Sequence, residues 1–437
     1  MLLCDVITYW DKLSELQKYN ILLRPKMLHE NNLESMIKSI LLNVKKFGDD
    51  ALFQYTEKFD NISLNCFHVS RTRINESEYF LSSEIKNAIL VAKKNIEFFH
   101  QQQKLPMIDI HTQVGINCRQ ISLPIESVGL YVPGGTAPLL STALMLSIPA
   151  CIAKCKNIVL CSSPPISNEI LYVSKICGIH QVFEIGGAQA IAALGFGTKM
   201  IPKVNKIFGP GNMYVTEAKK QLLQLIPNIS IDMIAGPSEL LIISDESSNP
   251  VFIASDVLSQ LEHGTDSQVI VVSNTKKILE LIIFHINQQL PNLLRKKIIH
   301  KSLLNSRFIF VKDFSDCVII SNLYAPEHLI IQSKYPDRVL KYITNAGSIF
   351  LGNWSPESVG DYASGTNHVL PTHGSSVSFS GLSVLDFQKR ITVQELTPFG
   401  LRNIADTVKL LSLSEKMDAH SNAVTVRIND IRSKYGK

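Results

Sequence analysis

From Ser127 onward, short apolar runs alternate with stretches long enough to be helices, and this alternation limits the fold more than any other feature of the sequence. SVGLYVPGG, NIVLCSS, QVFEIGG and KIFGPGN read as strands, with helices over 139–155, 169–177, 188–195 and 214–225. Strand–helix alternation is the signature of a parallel sheet covered by helices on both faces. After AGPSE a second series begins, with ELLIISDE, SQVIVVS, RFIFVKD and GSIFLGN as strands and helices over 251–263, 276–290 and 336–345. The fold class is therefore α/β, with one unit over 126–236 and another over 237–381. Residues 1–125 read as helix-rich, with periodic apolar positions over 33–44 and 83–103. A polar tail over 382–437 carries one helix at 401–416. The tail looks too short for a core of its own and is expected to dock, on a second subunit for example.

Composition narrows the function. The chain has 437 residues, 45% of them hydrophobic and 19% charged, which fits a well-cored globular protein. Its formal charge of +5 is mild, and no Lys/Arg run forms a nucleic-acid patch. The uncharged stretch 127–153 is interrupted by Pro133, Gly134, Gly135, Pro138 and Pro149, so it reads as strand, turn and helix rather than a membrane span. Asp5 and Asp11 interrupt the N-terminus where a signal peptide needs an apolar run. Eight scattered cysteines with no C-x-x-C read as reduced thiols of a cytoplasmic protein. Cys151 and Cys155, one helical turn apart on an apolar helix, read as core, not as nucleophiles.

Several segments carry chemistry. Gly134-Gly135, Gly186-Gly187 and the turn Gly209 to Asn212 each follow a strand, where backbone can approach an anionic ligand. A dinucleotide fits such turns, but so does any α/β protein without one, because no G-x-G-x-x-G is present. Gln260 and His263 are three apart on the last turn of a helix punctuated by Asn249, Pro250 and Gly264; one metal ion or a plain polar helix end would explain them. In YAPEHL, Glu327 and His328 follow the apolar run CVIISNL and so sit just past an expected strand end, where open α/β sheets gather catalytic groups. A carboxylate can deprotonate water and an imidazole can pass protons at working pH. The long loop GSIFLGNWSPESVGDYASGTNHVLPT offers Asp361 as a metal ligand and His368 for substrate or acid–base work. Glu415 and His420 can act together only if the tail helix stops between them.

Taken together, VGLYVPGG, GGAQAIAAL, KIFGPGN, AGPSE, LSQLEHG, YAPEHL, FLGNWSPESVGDYASGTNHVLPT, FQKR and HSNAVTVR resemble the histidinol dehydrogenase family over essentially the whole chain. The resemblance implies two incomplete Rossmann-like units, a helical N-terminal region on the second of them, and a small C-terminal tail exchanged in a homodimer with shared active sites. It implies oxidation of L-histidinol through L-histidinal to L-histidine with two NAD+ and one Zn2+ per subunit. Carried over by motif, the zinc ligands are Gln260, His263, Asp361 and, from the partner, the residue matching His420. Glu327 is the base that activates water and His328 the proton shuttle. Ser238, His368 and Glu415 hold substrate, alongside the metal ligands and His328, while Tyr131, Gln189 and Asn212 contact NAD. Two other readings compete: a zinc hydrolase whose glycine turns bind no dinucleotide, and a silent binding protein that keeps the fold.

Overall fold

A computed structural model describes residues 7–25, 32–134, 139–233 and 236–435. Asp5, Gly135 and Pro138, singled out above, lie outside the described residues. In chain order the strands are β1 (Ile7–Tyr9), β2 (Ile108–Gln113), β3 (Ile116–Pro124), β4 (Ser127–Val132), β5 (Asn157–Ser162), β6 (Gln181–Glu184), β7 (Lys206–Phe208), β8 (Ser230–Ile231), β9 (Glu239–Ser244), β10 (Gln268–Ser273), β11 (Arg307–Phe310), β12 (His328–Gln332), β13 (Ser348–Leu351) and β14 (Gln388–Leu396). The chain divides into two compact units. One comprises Met1–Gln103 and Ile125–Phe387, the other Lys104–Pro124 and Gln388–Lys437.

The larger unit contains two wholly parallel sheets, ordered β6-β5-β4-β7-β8 and β1-β11-β10-β9-β12-β13. Strands β4, β9, β10 and β12 are buried at every position, as expected of parallel strands covered on both faces. In each sheet the chain builds outward from a founding strand and then crosses to its other side. The strand order therefore reverses between β4 and β7 and again between β9 and β12, and such reversals open a crevice at the carboxyl ends.

Three expectations are corrected. The N-terminal helices Leu33–Phe47, Asp49–Asp60 and Ser83–Gln101 pack on the first sheet, not the second, whereas Ile21 of the short helix Glu15–Ile21 packs with the second. Ile37, Ile40, Leu41, Val44 and Leu52 share a cluster with Phe183, Ile191, Leu194 and Val215, and Ile89, Ala92 and Ile96 meet Leu144, Met145 and Ile148. Of this region, β1 and Trp10 go with the second sheet. An apolar stripe announces that a helix face is buried but not what buries it. Second, CVIISNL lies in the helix Phe314–Tyr324, in which Cys317, Ile320 and Tyr324 are buried while Ile319 and Leu323 are exposed. His328 consequently opens β12, and the Glu327–His328 pair stands at the amino end of the strand. Third, the helix Pro250–Leu261 stops before His263, which follows the C-cap residue Glu262.

The smaller unit also departs from expectation. Strand β14 pairs antiparallel with β3 from Gln388–Pro124 to Leu396–Ile116, and β2 pairs with β3. The tail is thus completed by a hairpin some 270 residues upstream in sequence, and its segment begins at Gln388. It holds two helices, Pro398–Ser414 and Asp418–Tyr435, joined by a small apolar cluster of Ala405, Ile428 and Ile431 with Leu401 and Val424. Among the described residues, no helix is long and apolar enough to cross a membrane.

Candidate active site and metal centre

Pairing of β12 with both β9 and β13 sets His328 opposite Leu240 and Ser348, at the shared amino edge of three adjacent strands. Glu327 and His328 are both buried. The backbone of Glu239, first residue of β9, holds the pair: its N–H donates to Glu327 Oε2 at 2.9 Å, and its carbonyl lies 3.3 Å from His328 Nδ1. The side chain of Glu239 is itself clamped. Arg24 donates through Nε and Nη2 at 2.6 and 2.9 Å, and the His373 N–H donates at 2.8 Å. Ser238 immediately precedes this residue and is half-buried.

A short helix, Glu357–Tyr362, places two carboxyl groups one turn apart on one face. Glu357 Oε1 lies 3.6 Å from His328 Nδ1, and Asp361 Oδ1 lies 3.6 Å from His328 Nε2. Burial pushes the Glu327 and Glu357 carboxyls up to about 8, against the lowering influence of His328. Burial alone would depress His328, but Glu357, Glu327 and Asp361 outweigh it and raise the imidazole to about 10. Glu327 and Glu357 are thereby held neutral beside one imidazolium, and a cation at this point would favour their ionised forms.

The donor set suits such a cation. His263, Glu357 and Asp361 each offer a ligand atom, all within 4.8 Å of one another. Gln260 is wholly buried, on a helix that packs against Glu357–Tyr362, and among the described residues neither its oxygen nor its nitrogen has a hydrogen-bond partner. Both oxygens of Glu357 are unpartnered too. An unmade hydrogen bond at a buried polar group costs about 1–3 kcal/mol, so a cluster of them points to a ligand that the chain itself does not supply. One nitrogen among several oxygens fits Zn2+.

His368 bridges to the other sheet. Its Nδ1 lies 2.8 Å from the Asp361 carbonyl, and its Nε2 lies 3.2 Å from Thr142 Oγ1 on the helix that follows β4. Both ring nitrogens are thus engaged by the protein. Glu415 and His420 belong to the smaller unit, where both are exposed. Glu415 caps the helix Pro398–Ser414, Lys416 is left-handed at φ 58°, and the next helix starts at Asp418, so the chain does break between them.

Gly134, Gly186-Gly187 and Gly209 follow the carboxyl ends of β4, β6 and β7. Gly209, at φ 122°, leaves no room for a side chain, because a Cβ there would fall on the Tyr131 carbonyl. The turn is anchored from below: Asp232 Oδ2 accepts from Gly209 N at 2.6 Å, and Lys219 Nζ reaches the Gly209 carbonyl and Asp232 Oδ1. Asn212 caps the following helix by accepting from Tyr214 N and Val215 N. The Tyr131 hydroxyl accepts from Gly187 N at 3.1 Å, and burial pushes it up to about 12. Gln189 is buried in the first turn after Gly187. A backbone-lined crevice next to two helix N-termini is suited to a dinucleotide.

Sequence reasoning did not single out Glu357, Arg24 or the role of Glu239. Glu357 stands in WSPES, an ordinary first-turn glutamate, and only the folded chain places it beside His328. Glu239 lies within AGPSE, so the motif contained it without indicating its role.

Comparison with known proteins bears on this arrangement. The family model described as histidinol dehydrogenase matches residues 23–428. Histidinol dehydrogenase of Buchnera aphidicola subsp. Acyrthosiphon pisum (strain APS) is 54% identical over 428 residues, covering 98% of each chain. Its counterpart in Escherichia coli (strain K12) is 50% identical over 428 residues, covering 98% of this chain and 99% of that one. The crystal structure of histidinol dehydrogenase from Elizabethkingia anophelis superposes with a TM-score of 0.94 at 43% identity, over 98% of both chains. The chain belongs to the histidinol dehydrogenase family.

Proposed function

We propose that this chain oxidises L-histidinol through L-histidinal to L-histidine as an NAD-dependent four-electron dehydrogenase of histidine biosynthesis. It acts in the cytoplasm as a homodimer with shared active sites and one Zn2+ per subunit. What carries the reading is the juxtaposition of two buried proton-transfer groups, Glu327 and His328, with the unpartnered side chains of Gln260 and Glu357.

Gln260, His263 and Asp361 are the metal ligands, and His420 of the partner subunit completes the set. Zn2+ at these residues would supply a Lewis acid and template for orienting the substrate. NAD+, when bound to 126–236 through Tyr131, Gln189 and Asn212, supplies the hydride acceptor. A cation held by Gln260, His263 and Asp361 would favour the neutral imidazole of His328 and the ionised form of Glu327, and His328 then takes the hydroxyl proton as hydride leaves the carbinol carbon. His328 passes that proton to solvent and a second NAD+ replaces NADH; Glu327 then takes a proton from the water that adds to the aldehyde carbon, and His328 takes the hydrate proton as the second hydride passes to that NAD+. Ser238 and Glu415 hold the substrate. His368, whose ring nitrogens are already engaged, forms the substrate wall next to Asp361. Retaining the aldehyde between the two steps explains why one site does both.

NADH formation from L-histidinol tests the reading, and its absence with zinc-loaded protein contradicts it. Sharing between subunits has its own test. His420→Asn weakens zinc binding, and mixing it with Glu327→Gln restores part of the activity. No recovery on mixing counts against a shared site.

A further inference from the structure

A cavity of about 360 Å³ opens at the carboxyl ends of β4 and β5, lined among others by Asp60, Gly134, Ser162, Ser163 and Ser167. Asp60 is the last residue of the helix Asp49–Asp60, outside the sheet, and Asn61 after it turns left-handed at φ 55°. Oδ2 of Asp60 is buried and, among the described residues, has no hydrogen-bond partner. Burial raises the carboxyl above its ordinary range, with no cation offsetting it. A side chain with an orphaned, buried oxygen facing a cavity is poised for a donor that the protein does not provide.

The position suggests which donor. Dinucleotide-binding sheets place an acidic residue at the end of the strand after the glycine turn, where it accepts from the 2′-hydroxyl of the adenosine ribose. Here that strand is β5, and it runs out into Ser162-Ser163-Pro164-Pro165 with no acid. Ser163 cannot be exchanged for a longer acidic residue without displacing its neighbours, because Gly134 and Gly186 close over it; a Cβ on Gly134 would come within 2.5 Å of Ser163 Cβ. Asp60 reaches the same corner from the N-terminal helices.

We propose that Asp60 accepts a hydrogen bond from the adenosine ribose 2′-hydroxyl of NAD+ and, by its charge, disfavours the 2′-phosphate of NADP+. This deepens the dehydrogenase reading and rests on its cofactor. The probes are NAD+, NADP+ and NAD+ lacking the adenosine 2′-hydroxyl, titrated calorimetrically into wild type, Asp60→Asn and Asp60→Ser, each checked for an unchanged thermal melt. Wild type binds the deoxy cofactor about ten- to a hundredfold more weakly than NAD+, as expected for a hydrogen bond to a charged group. In Asp60→Ser, whose side chain is too short to reach, that preference collapses to near unity; in Asp60→Asn, whose amide oxygen still accepts, it falls to a few-fold, and in both the preference for NAD+ over NADP+ shrinks. Equal weakening of NAD+ and the deoxy cofactor, or no weakening, overturns the proposal. If wild type binds no NAD+ and makes no NADH from L-histidinol, the cofactor reading itself has failed. If it makes NADH but the variants keep the 2′-hydroxyl preference, only the role of Asp60 has.

Discussion

The backbone N–H of Glu239 donates to Oε2 of Glu327 at 2.9 Å, so the first residue of one central strand fixes the carboxylate that precedes its neighbour. The same peptide approaches His328 through its carbonyl. The position of both proton-transfer groups therefore depends on how β9 begins, and that depends on the Glu239 side chain.

Arg24 is accordingly expected to matter at a distance from the chemistry. It forks onto a Glu239 carboxylate that is 2% exposed and also donates to the Tyr324 carbonyl at 2.6 Å. Arg24→Ala leaves that carboxylate buried without its cation and is predicted to cost about 3–5 kcal/mol in urea unfolding. Arg24→Lys recovers little, because an ammonium cannot make the two-pronged contact. A loss below about 1 kcal/mol for Arg24→Ala would refute this.

Gln260→Met should act with opposite signs on the metal-free and metal-loaded protein. It removes two orphaned polar atoms while keeping the volume, so the metal-free protein is predicted to be stabilised by up to about 1–3 kcal/mol. Zinc affinity, measured by competition with a chelator, falls. Wild-type zinc affinity in the variant would show that Gln260 is not a ligand.

The metal-free centre also gives stability a definite pH slope. Glu327 and Glu357, raised from 4.5 to about 8, favour the neutral form, so their contribution to folding declines as pH climbs from about 4.5 to about 8. His328, raised from 6.5 to about 10, contributes fully below 6.5, and that contribution is lost as pH rises through about 10. Both slopes have the same sign. The melting temperature of chelator-treated protein is predicted to fall steadily between about pH 6 and about pH 10, and zinc flattens the curve. A rising or level melting temperature across that range contradicts the assignment.

Cysteine chemistry is not expected in the aldehyde step. Burial pushes Cys151 up to about 11 and Cys155 up to about 12, far from a reactive thiolate. Cys161 is wholly buried in the core. Cys155→Ala and Cys161→Ala are each predicted to keep turnover within about twofold. Loss of the second oxidation alone in either variant would implicate a thiol.

What the sequence made legible follows from the signal each element carries. Strands β4, β9 and β10 are apolar runs bounded by turns and alternating with helical segments, a pattern that fits a doubly covered parallel sheet. Strand β12 is a five-residue run just after an apolar helix, and short apolar runs do not distinguish the two states. Strand β2 is exposed along its length, so its pairing left no hydrophobic pattern to read. The site shows the same division. His328 and Asp361 stood out by type and motif, whereas Glu357 and Asp60 are distinguished by unpartnered buried oxygens, a property of the folded chain alone.

The most direct measurement is the amount of NADH formed per L-histidinol consumed by the zinc-loaded protein. Oxidation of an alcohol to an acid at one site predicts about two, with no free aldehyde accumulating. One NADH with released L-histidinal, or none at all, would contradict a single centre in which Glu327 and His328 serve both oxidations.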